Sequence, residues 1–237
     1  MVNYSEQVIL VTGSSSGIGR MLTEYFLNSG ATVLGFSRGL FSIESQNYHH
    51  YICDISDPKS VDIAFKKISL DGHRLTCLIN NAGALSVFSS LLMPPVAAQQ
   101  MINTNFFGSF LVAQKCAKVM SRAKYGRIIT ISSMAEILEP VGDAIYTASK
   151  SAATSLTNSL SKELAPYGIT CNTLAITCLP TNMSKKINSA ALEKVVSNLP
   201  IPGIAKNEDV TNIIDFYLNS KSSGVTGQFI ALGGLHK

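Results

Sequence analysis

The sequence predicts an α/β fold in which helices cover both faces of one parallel, doubly wound sheet of about seven strands. Short, continuously apolar segments alternate along the chain with longer amphipathic segments. Strands that are apolar throughout are typical of sheets buried on both faces, whereas strands with one wet face alternate with polar residues. No linker or composition shift divides the 237 residues, so we expect a single domain, 1–237.

The pattern opens with a strand from Gln7 to Val11, a glycine-rich turn and a helix from Arg20 to Asn28. A second strand from Thr32 to Phe36 completes a βαβ unit of about thirty residues, which requires a right-handed crossover. The further strands are predicted from Tyr48 to Cys53, Leu75 to Ile79, Arg127 to Ile131, Ile169 to Leu174 and Gln228 to Leu232. The further helices are predicted from Pro58 to Ile68, Pro95 to Ala123 with a break near Gly108, Asp143 to Leu164, and Glu208 to Asn219.

Composition and charge argue against several classes of partner. The formal charge is +4 and the basic residues are scattered, which argues against nucleic acid. The five cysteines are odd in number and lack metal-ligand spacing, so we expect reduced thiols in a cytoplasmic protein without a metal site. We find neither a signal-peptide pattern nor an apolar run of about 18 residues, so we expect no membrane span.

Three glycines, Gly13, Gly17 and Gly19, lie between the first strand and its helix with the spacing Gly-x3-Gly-x-Gly. Glycine permits positive φ and close backbone approach, and the N-terminus of the following helix favours a phosphate. A tight turn without a ligand is the alternative for glycines alone. The strand before and the helix after them favour a dinucleotide site.

Tyr146 and Lys150 lie near the start of a predicted helix and are four residues apart, so both side chains point from the same face. An ammonium beside a phenol favours the phenolate, and we expect Lys150 to bring the pKa of Tyr146 toward neutral. Tyr146 could then give or take a proton. The alternative is an ordinary helix with one solvated face.

The motifs Thr12-Gly13-x3-Gly17-Ile18-Gly19, Asn80-Asn81-Ala82-Gly83, Asn105, Ser133 and Tyr146-x3-Lys150 occur in this order over nearly the whole chain. Together they resemble the short-chain dehydrogenases/reductases of the single-domain Rossmann type. The overall pattern is most similar to the 3-oxoacyl-(acyl carrier protein) reductases.

This resemblance implies four catalytic residues. Ser133 would hydrogen-bond the substrate oxygen, and Ser132 would be its structural neighbour. Tyr146 would be the general acid in reduction, and Lys150 would bind the nicotinamide ribose and lower the pKa of the tyrosine. Asn105 would hold a helix kink and a water of the proton relay.

The residues at the end of the second strand discriminate between NAD(H) and NADP(H). An acidic residue there would bind the ribose 2′-hydroxyl, but the chain has Ser37 and then Arg38. A guanidinium matches a phosphate, so we expect NADP(H) rather than NAD(H), unless Arg38 is only a solvated loop charge. The resemblance implies the cofactor-binding residues Gly13, Ser14, Ser15, Ser16, Gly17, Ile18, Gly19, Ser37, Arg38, Asp54, Ile55, Asn81, Ala82, Gly83, Tyr146, Lys150, Leu179 and Thr181.

The chain departs from the family pattern after the sixth strand, where Ile176 and Thr177 replace a Pro-Gly pair. Leu179 and Thr181 still match positions that hold the nicotinamide side of the cofactor. Proline and glycine specify a turn that Ile-Thr does not. We therefore expect the segment from Ala175 to Met183 to be mobile and to become ordered by NADPH.

The sequence thus predicts an NADPH-dependent reductase of a small or carrier-linked ketone, with keto-acyl thioesters as the first candidate. The alternatives are another keto substrate, such as a sugar derivative or secondary metabolite, and a catalytically poor nucleotide-binding subunit. The segments from Ala84 to Pro95, Met134 to Asp143 and Met183 to Ile201 would select the substrate, which the sequence leaves open. The family pattern and two apolar long helices predict a homotetramer, or a homodimer.

Overall fold

The computed structural model describes residues 3–177, 179, 193 and 195–236. One sheet of seven strands contains β1 Val8–Thr12, β2 Thr32–Ser37, β3 Tyr48–Ile52, β4 Cys77–Asn80, β5 Gly126–Ser133, β6 Ile169–Ile176 and β7 Phe229–Ala231. Every strand pair is parallel, in the order β3-β2-β1-β4-β5-β6-β7. The predicted α/β fold class is therefore confirmed.

The helices are α1 Gly17–Asn28, α2 Pro58–Leu70, α3 Pro95–Ile102, α4 Ser109–Ala123, α5 Ala135–Leu138, α6 Ala144–Leu164 and α7 Asn207–Leu218. A π-helical turn, Asn103–Gly108, separates α3 from α4, and short 3-10 turns lie at Ala165–Tyr167 and Ser220–Ser222. The helix predicted from Pro95 to Ala123 is thus broken at its expected place. None of the described helices is long and apolar enough to cross a bilayer.

Two apolar cores lie on opposite faces of the sheet because successive strand residues point to opposite sides. Ile9 and Val11 of β1 pack with α1 and α7, whereas Leu10 packs with α2 and α4. Both cores are closed by side chains that are fully buried, such as Phe26 of α1 and Cys116 of α4. The sheet is therefore covered on both faces, which explains why its central strands β1 and β4 are mostly apolar.

The chain order reverses between β1 and β4, where the connections leave the sheet to opposite sides. At such a switch point the loops diverge and leave a crevice beyond the carboxyl ends of the strands. Polar residues that end or follow five strands line this crevice, among them Ser15, Arg38, Asp54, Asn81 and Ser132. The fold thus places the candidate site at one edge of the sheet.

The described cysteines, Cys53, Cys77, Cys116 and Cys171, are buried free thiols. Burial raises the pKa of each of them, to about 12 for Cys77 and Cys171, so these thiols are unreactive at neutral pH. Cys178 lies outside the described residues.

Candidate active site

A cleft of about 270 Å³ runs along the carboxyl edge of the strands, from the end of β2 to the start of α6. The predicted residues that line it are Gly13, Ser15, Ser16, Gly17, Ile18, Ser37, Arg38, Asp54, Ile55, Asn81, Ala82, Gly83, Tyr146 and Lys150. Gln100, Thr104 and Ser132 also line the cleft, although no motif pointed to Gln100 or Thr104.

The glycine-rich turn brings backbone close to backbone at two positions. Gly13 has a φ of +72°, which a residue with a side chain rarely adopts. A Cβ at Gly19 would overlap the carbonyl oxygen of Gly13, so the first turn of α1 can lie against β1 only with glycine there. Gly19 and Ser14 are buried behind the turn and do not line the cleft; the Ser14 hydroxyl lies 3.2 Å from the phenol of Tyr48.

The N-terminus of α1 opens into the cleft with its backbone N–H groups available. In the described residues around this end, Ser16 at the N-cap makes no side-chain capping bond, and the first turn carries no acidic residue. Free N–H groups and the positive end of the helix dipole favour a phosphate. The turn therefore fits the diphosphate of a dinucleotide.

Thr12 fastens the turn to the end of β4. Its hydroxyl accepts hydrogen bonds from the backbone N–H groups of Asn81 and Ala82, both at 2.9 Å. The Asn81 amide donates to the carbonyl of Thr12, also at 2.9 Å. Three bonds thus fix the floor of the cleft between β1 and β4.

The end of the cleft at β2 carries the residues expected at the adenosine. Arg38 is exposed at the rim of the cleft. Asp54 lines the cleft, and one of its carboxylate oxygens accepts from Ser56 N at 2.9 Å and Ser56 Oγ at 2.6 Å. Asp54 therefore also shapes its own turn.

At the other end, α6 places Tyr146 and Lys150 in the cleft, both buried. The Lys150 ammonium donates to the carbonyl of Ile131 at 2.9 Å and lies 6.0 Å from the centre of the Tyr146 ring. Ser133, at the end of β5, is hydrogen-bonded to Tyr146. The structure thus brings Ser133, Tyr146 and Lys150 together as expected.

Asn105 lies in the π-helical turn, where it connects three elements. Its amide donates to the carbonyl of Ala84 and to the hydroxyl of Ser149, both at 2.9 Å, and its oxygen accepts from Ala84 N at 2.7 Å. These bonds tie the loop after β4 to α6. Asn105 therefore links the π-helical turn to the loop after β4 and to α6, and its role in a proton relay stays a prediction.

Residues 7–192 match the model of the family described as short chain dehydrogenase. This chain is a short-chain dehydrogenase. It is 30% identical to the 3-oxoacyl-(acyl-carrier-protein) reductase FabG of Rickettsia conorii, over 99% of this chain and 98% of that protein.

Solved structures agree with the fold of this short-chain dehydrogenase. A short-chain type dehydrogenase/reductase from Mycobacterium marinum has a TM-score of 0.89 and 26% identity, covering 98% of this chain and 96% of its own. A short-chain dehydrogenase from Leptospira borgpetersenii, solved with bound NAD+, also has a TM-score of 0.89, at 22% identity over 98% and 93% of the two chains. As a member of the family, the protein is an NAD(P)(H)-dependent oxidoreductase.

The charge states in this short-chain dehydrogenase are governed by burial. Burial raises the pKa of Tyr146 to about 12, against the opposing hydrogen bond from Ser133. Burial lowers the pKa of Lys150 to about 8, against the carboxylate of Glu136. Burial thus moves the pKa of Tyr146 away from neutral pH, opposite to the expected direction, because the loss of hydration outweighs the hydrogen bond from Ser133.

Ile176, the first of the two residues that replace the Pro-Gly pair of the family, extends β6. Ile176 is the last residue of β6, pairs in register with Ser133 and is 2% exposed. Its carbonyl accepts from Met134 N at 2.9 Å, so Ala175 and Ile176 lie in a paired strand, whereas the mobility expected from Ala175 to Met183 stays a prediction. Leu179 is buried in the core beside Ile176, whereas Thr181 lies outside the described residues.

The sequence offered no motif for Glu136 of α5. This side chain is 4% exposed and accepts hydrogen bonds from Ser132 and Thr154. Only its position three residues after the predicted Ser133 could have drawn attention to it.

Proposed function

We propose that the protein is an NADPH-dependent reductase that converts a ketone into a secondary alcohol. The observation that supports this most strongly is one continuous cleft. Its β2 end carries an exposed guanidinium, its middle carries an uncapped helix N-terminus, and its α6 end carries a phenol beside a buried ammonium. These features suit a 2′-phosphate, a diphosphate and a carbonyl group in turn.

In the reaction, Tyr146 gives its phenolic proton to the substrate oxygen while the carbonyl carbon is reduced. A bound dihydronicotinamide would supply the hydride. Ser133 donates a hydrogen bond to the same oxygen, where negative charge develops, and one such donor is commonly worth about 2.7 to 4 kcal/mol. Lys150, as an ammonium, binds the ribose and adds positive charge behind the phenol, which helps the proton to leave.

NADPH is the preferred cofactor in this proposal. Ser37 is the last residue of β2, and Arg38 follows it. Neither of these two positions carries an acidic side chain that would repel a 2′-phosphate. The Leptospira structure contains NAD+, but at 22% identity it shares the fold with this chain and no more. The preference for NADPH in this proposal therefore rests on Arg38.

The substrate we place first is a 3-oxoacyl thioester, because the similar protein from Rickettsia is a 3-oxoacyl-(acyl-carrier-protein) reductase that aligns over nearly its whole length. Apolar side chains near Tyr146, including Leu85 and Met101, form a small cluster with it. Such a surface suits the alkyl part of a substrate. Another keto compound remains the alternative within the enzyme class.

The test is a panel of ketones that includes a 3-oxoacyl thioester, with NADPH oxidation followed by absorbance. Tyr146→Phe is the matched control because it removes the proton and keeps the ring. We expect turnover to fall by about 10²- to 10⁴-fold, with NADPH binding nearly unchanged. Full activity of the phenylalanine variant would contradict the mechanism, and a protein that binds NADPH but reduces no ketone would favour the nucleotide-binding subunit.

A further inference from the structure

Glu136 carries a buried carboxylate beside the catalytic residues, and the reaction described above does not use this carboxylate. One of its oxygens accepts from Ser132 Oγ at 2.6 Å and from Thr154 Oγ1 at 2.8 Å. Two hydroxyl donors on one oxygen, with the shorter bond at a charge-assisted length, are typical of an ionised carboxylate. A negative charge therefore lies inside the protein with little contact with water.

The position of this charge relative to Lys150 follows from two elements. On α6, Thr154 comes four residues after Lys150, so both side chains leave the same helix face. On β5, Ser132 follows Ile131, whose carbonyl accepts from the Lys150 ammonium. Glu136 thus accepts from Thr154, which neighbours Lys150 on the helix face. It also accepts from Ser132, which follows Ile131, the hydrogen-bond acceptor of Lys150, on the strand.

The electrostatic surroundings of Lys150 are simple in the described part of the chain. Burial lowers the pKa of Lys150, and the carboxylate of Glu136 is the charge that opposes this shift. The other titratable groups facing this space are on α6 and at its start: the Tyr146 phenol at 6.0 Å and Asp143, whose charge acts on Tyr146. Opposite charges interact more strongly where water is excluded.

We propose that Glu136 is a positioning residue for the reduction, whose carboxylate keeps Lys150 in the ammonium form at neutral pH. This proposal rests on the proposed function only because it assumes that Lys150 takes part in the reduction. A purely structural Glu136 would bridge Ser132 and Thr154 and would leave the charge of Lys150 unchanged.

The test follows the titration of Lys150 directly, by NMR of the protein labelled with ¹³C in its lysine side chains. The Lys150 signal is assigned by its loss in Lys150→Met. In Glu136→Gln we expect the Lys150 midpoint to fall by about one pH unit, because the opposing charge is gone. Thr154→Val is the matched control: it removes one hydrogen bond to Glu136, keeps the carboxylate, and should leave the midpoint unchanged.

An unchanged midpoint in Glu136→Gln would overturn the proposal, as would an equal fall in Thr154→Val. If the glutamine variant does not fold, Glu136→Met removes the charge with similar side-chain length, and the same two outcomes apply. Glu136→Asp, which keeps the charge, should restore most of the wild-type midpoint.

A kinetic readout separates this inference from the proposed function. In an active enzyme the alkaline limb of kcat/KM for Glu136→Gln should move to lower pH by the same amount as the Lys150 midpoint. A shifted midpoint in a protein that reduces no ketone would refute the proposed function alone. Normal reduction with an unshifted midpoint would refute the role of Glu136 alone.

Discussion

At the scale of single residues, the candidate active site contains two side chains whose pKa values burial shifts in opposite directions. Burial disfavours the phenolate of Tyr146 and the ammonium of Lys150 alike, because both are the charged forms. The result is a phenol that keeps its proton and a lysine that can lose its own near neutral pH. The proposed reduction needs the proton on the tyrosine, so we expect the titration of Lys150 to limit the rate at alkaline pH.

This gives a pH dependence with a definite direction. Below a pKa of about 8 Lys150 is an ammonium, and its charge is lost as the pH rises through that value, whereas Tyr146 keeps its proton to about pH 12. We therefore expect kcat/KM for reduction to be level near neutral pH and to fall by up to tenfold for each pH unit above about 8. Initial rates measured from about pH 6 to pH 10 check this. A level profile throughout would show that the charge of Lys150 is not needed.

Arg38 should discriminate between the two cofactors through its contact with the 2′-phosphate. In Arg38→Ala we expect NADPH binding to weaken by about 1.5 to 3 kcal/mol, as for a hydrogen bond to a charged group, while NADH binding changes little. Titration calorimetry with both cofactors measures this. Arg122→Ala, at the end of α4, removes the same charge outside the cleft lining and should change neither affinity. Equal losses of both cofactors in Arg38→Ala would mean that Arg38 has only a structural role.

At the scale of elements, the sequence predicted most of the fold because strands such as β1 and β2 are mostly apolar and the long helices are amphipathic. It also located the break near Gly108, which the structure resolves as a π-helical turn. A Cβ at Gly108 would come within 2.8 Å of Ile55, so the glycine lets this turn pack against the loop after β3. The identity of the turn could not be predicted, because it depends on Asn105 reaching both Ala84 and Ser149.

The short helix α5 and the full length of β6 were missed for related reasons. Four residues are too few to show helical periodicity, so Ala135–Leu138 left no pattern. The predicted sixth strand ended at Leu174, but β-branched Ile176 continues it because Ser133 of β5 pairs with it. Both features depend on partners that are distant in sequence, and a local pattern cannot show them.

The end of β6 leads to a prediction about hydrogen exchange. Met134 N donates to Ile176 O at 2.9 Å, and Leu232 N donates to Ala175 O at 3.0 Å. We expect these two donor amides to be protected equally with and without NADPH. Protection should rise on NADPH binding only beyond Thr177, because the resemblance assigns cofactor contacts to Leu179 and Thr181. Exchange followed by mass spectrometry decides this, and equal protection of peptides 178–183 in both states would contradict it.

At the scale of the whole molecule, the order of strands explains why distant motifs meet. The site residues come from the loops after β1, β2, β3, β4 and β5 and from α6, and the reversal between β1 and β4 opens one crevice along these loops. The order of motifs could be read from the sequence through the family resemblance. The depth to which Lys150 and Glu136 are buried could not, since burial is a property of the packed molecule.

The expected homotetramer was predicted partly from the apolar faces of the two long helices, but only one of these two helices exposes large apolar side chains in the described structure. The described part of α6 has no large exposed apolar side chain, so the apolar face expected there is turned inward. Exposed apolar residues gather instead before and within α3, where Leu91 is 94% and Val96 81% exposed. Apolar groups so placed favour association between copies of a chain.

We therefore expect light scattering to give about four times the chain mass of 25.4 kDa. Val96→Asp should lower this mass, because a charge in an apolar contact is costly to bury. Leu70→Asp is the control: Leu70, at the end of α2, is 86% exposed, and its change should leave the assembly intact. A single-chain mass for the wild-type protein at micromolar concentration would contradict association altogether. An unchanged mass in Val96→Asp would place the interface on another surface.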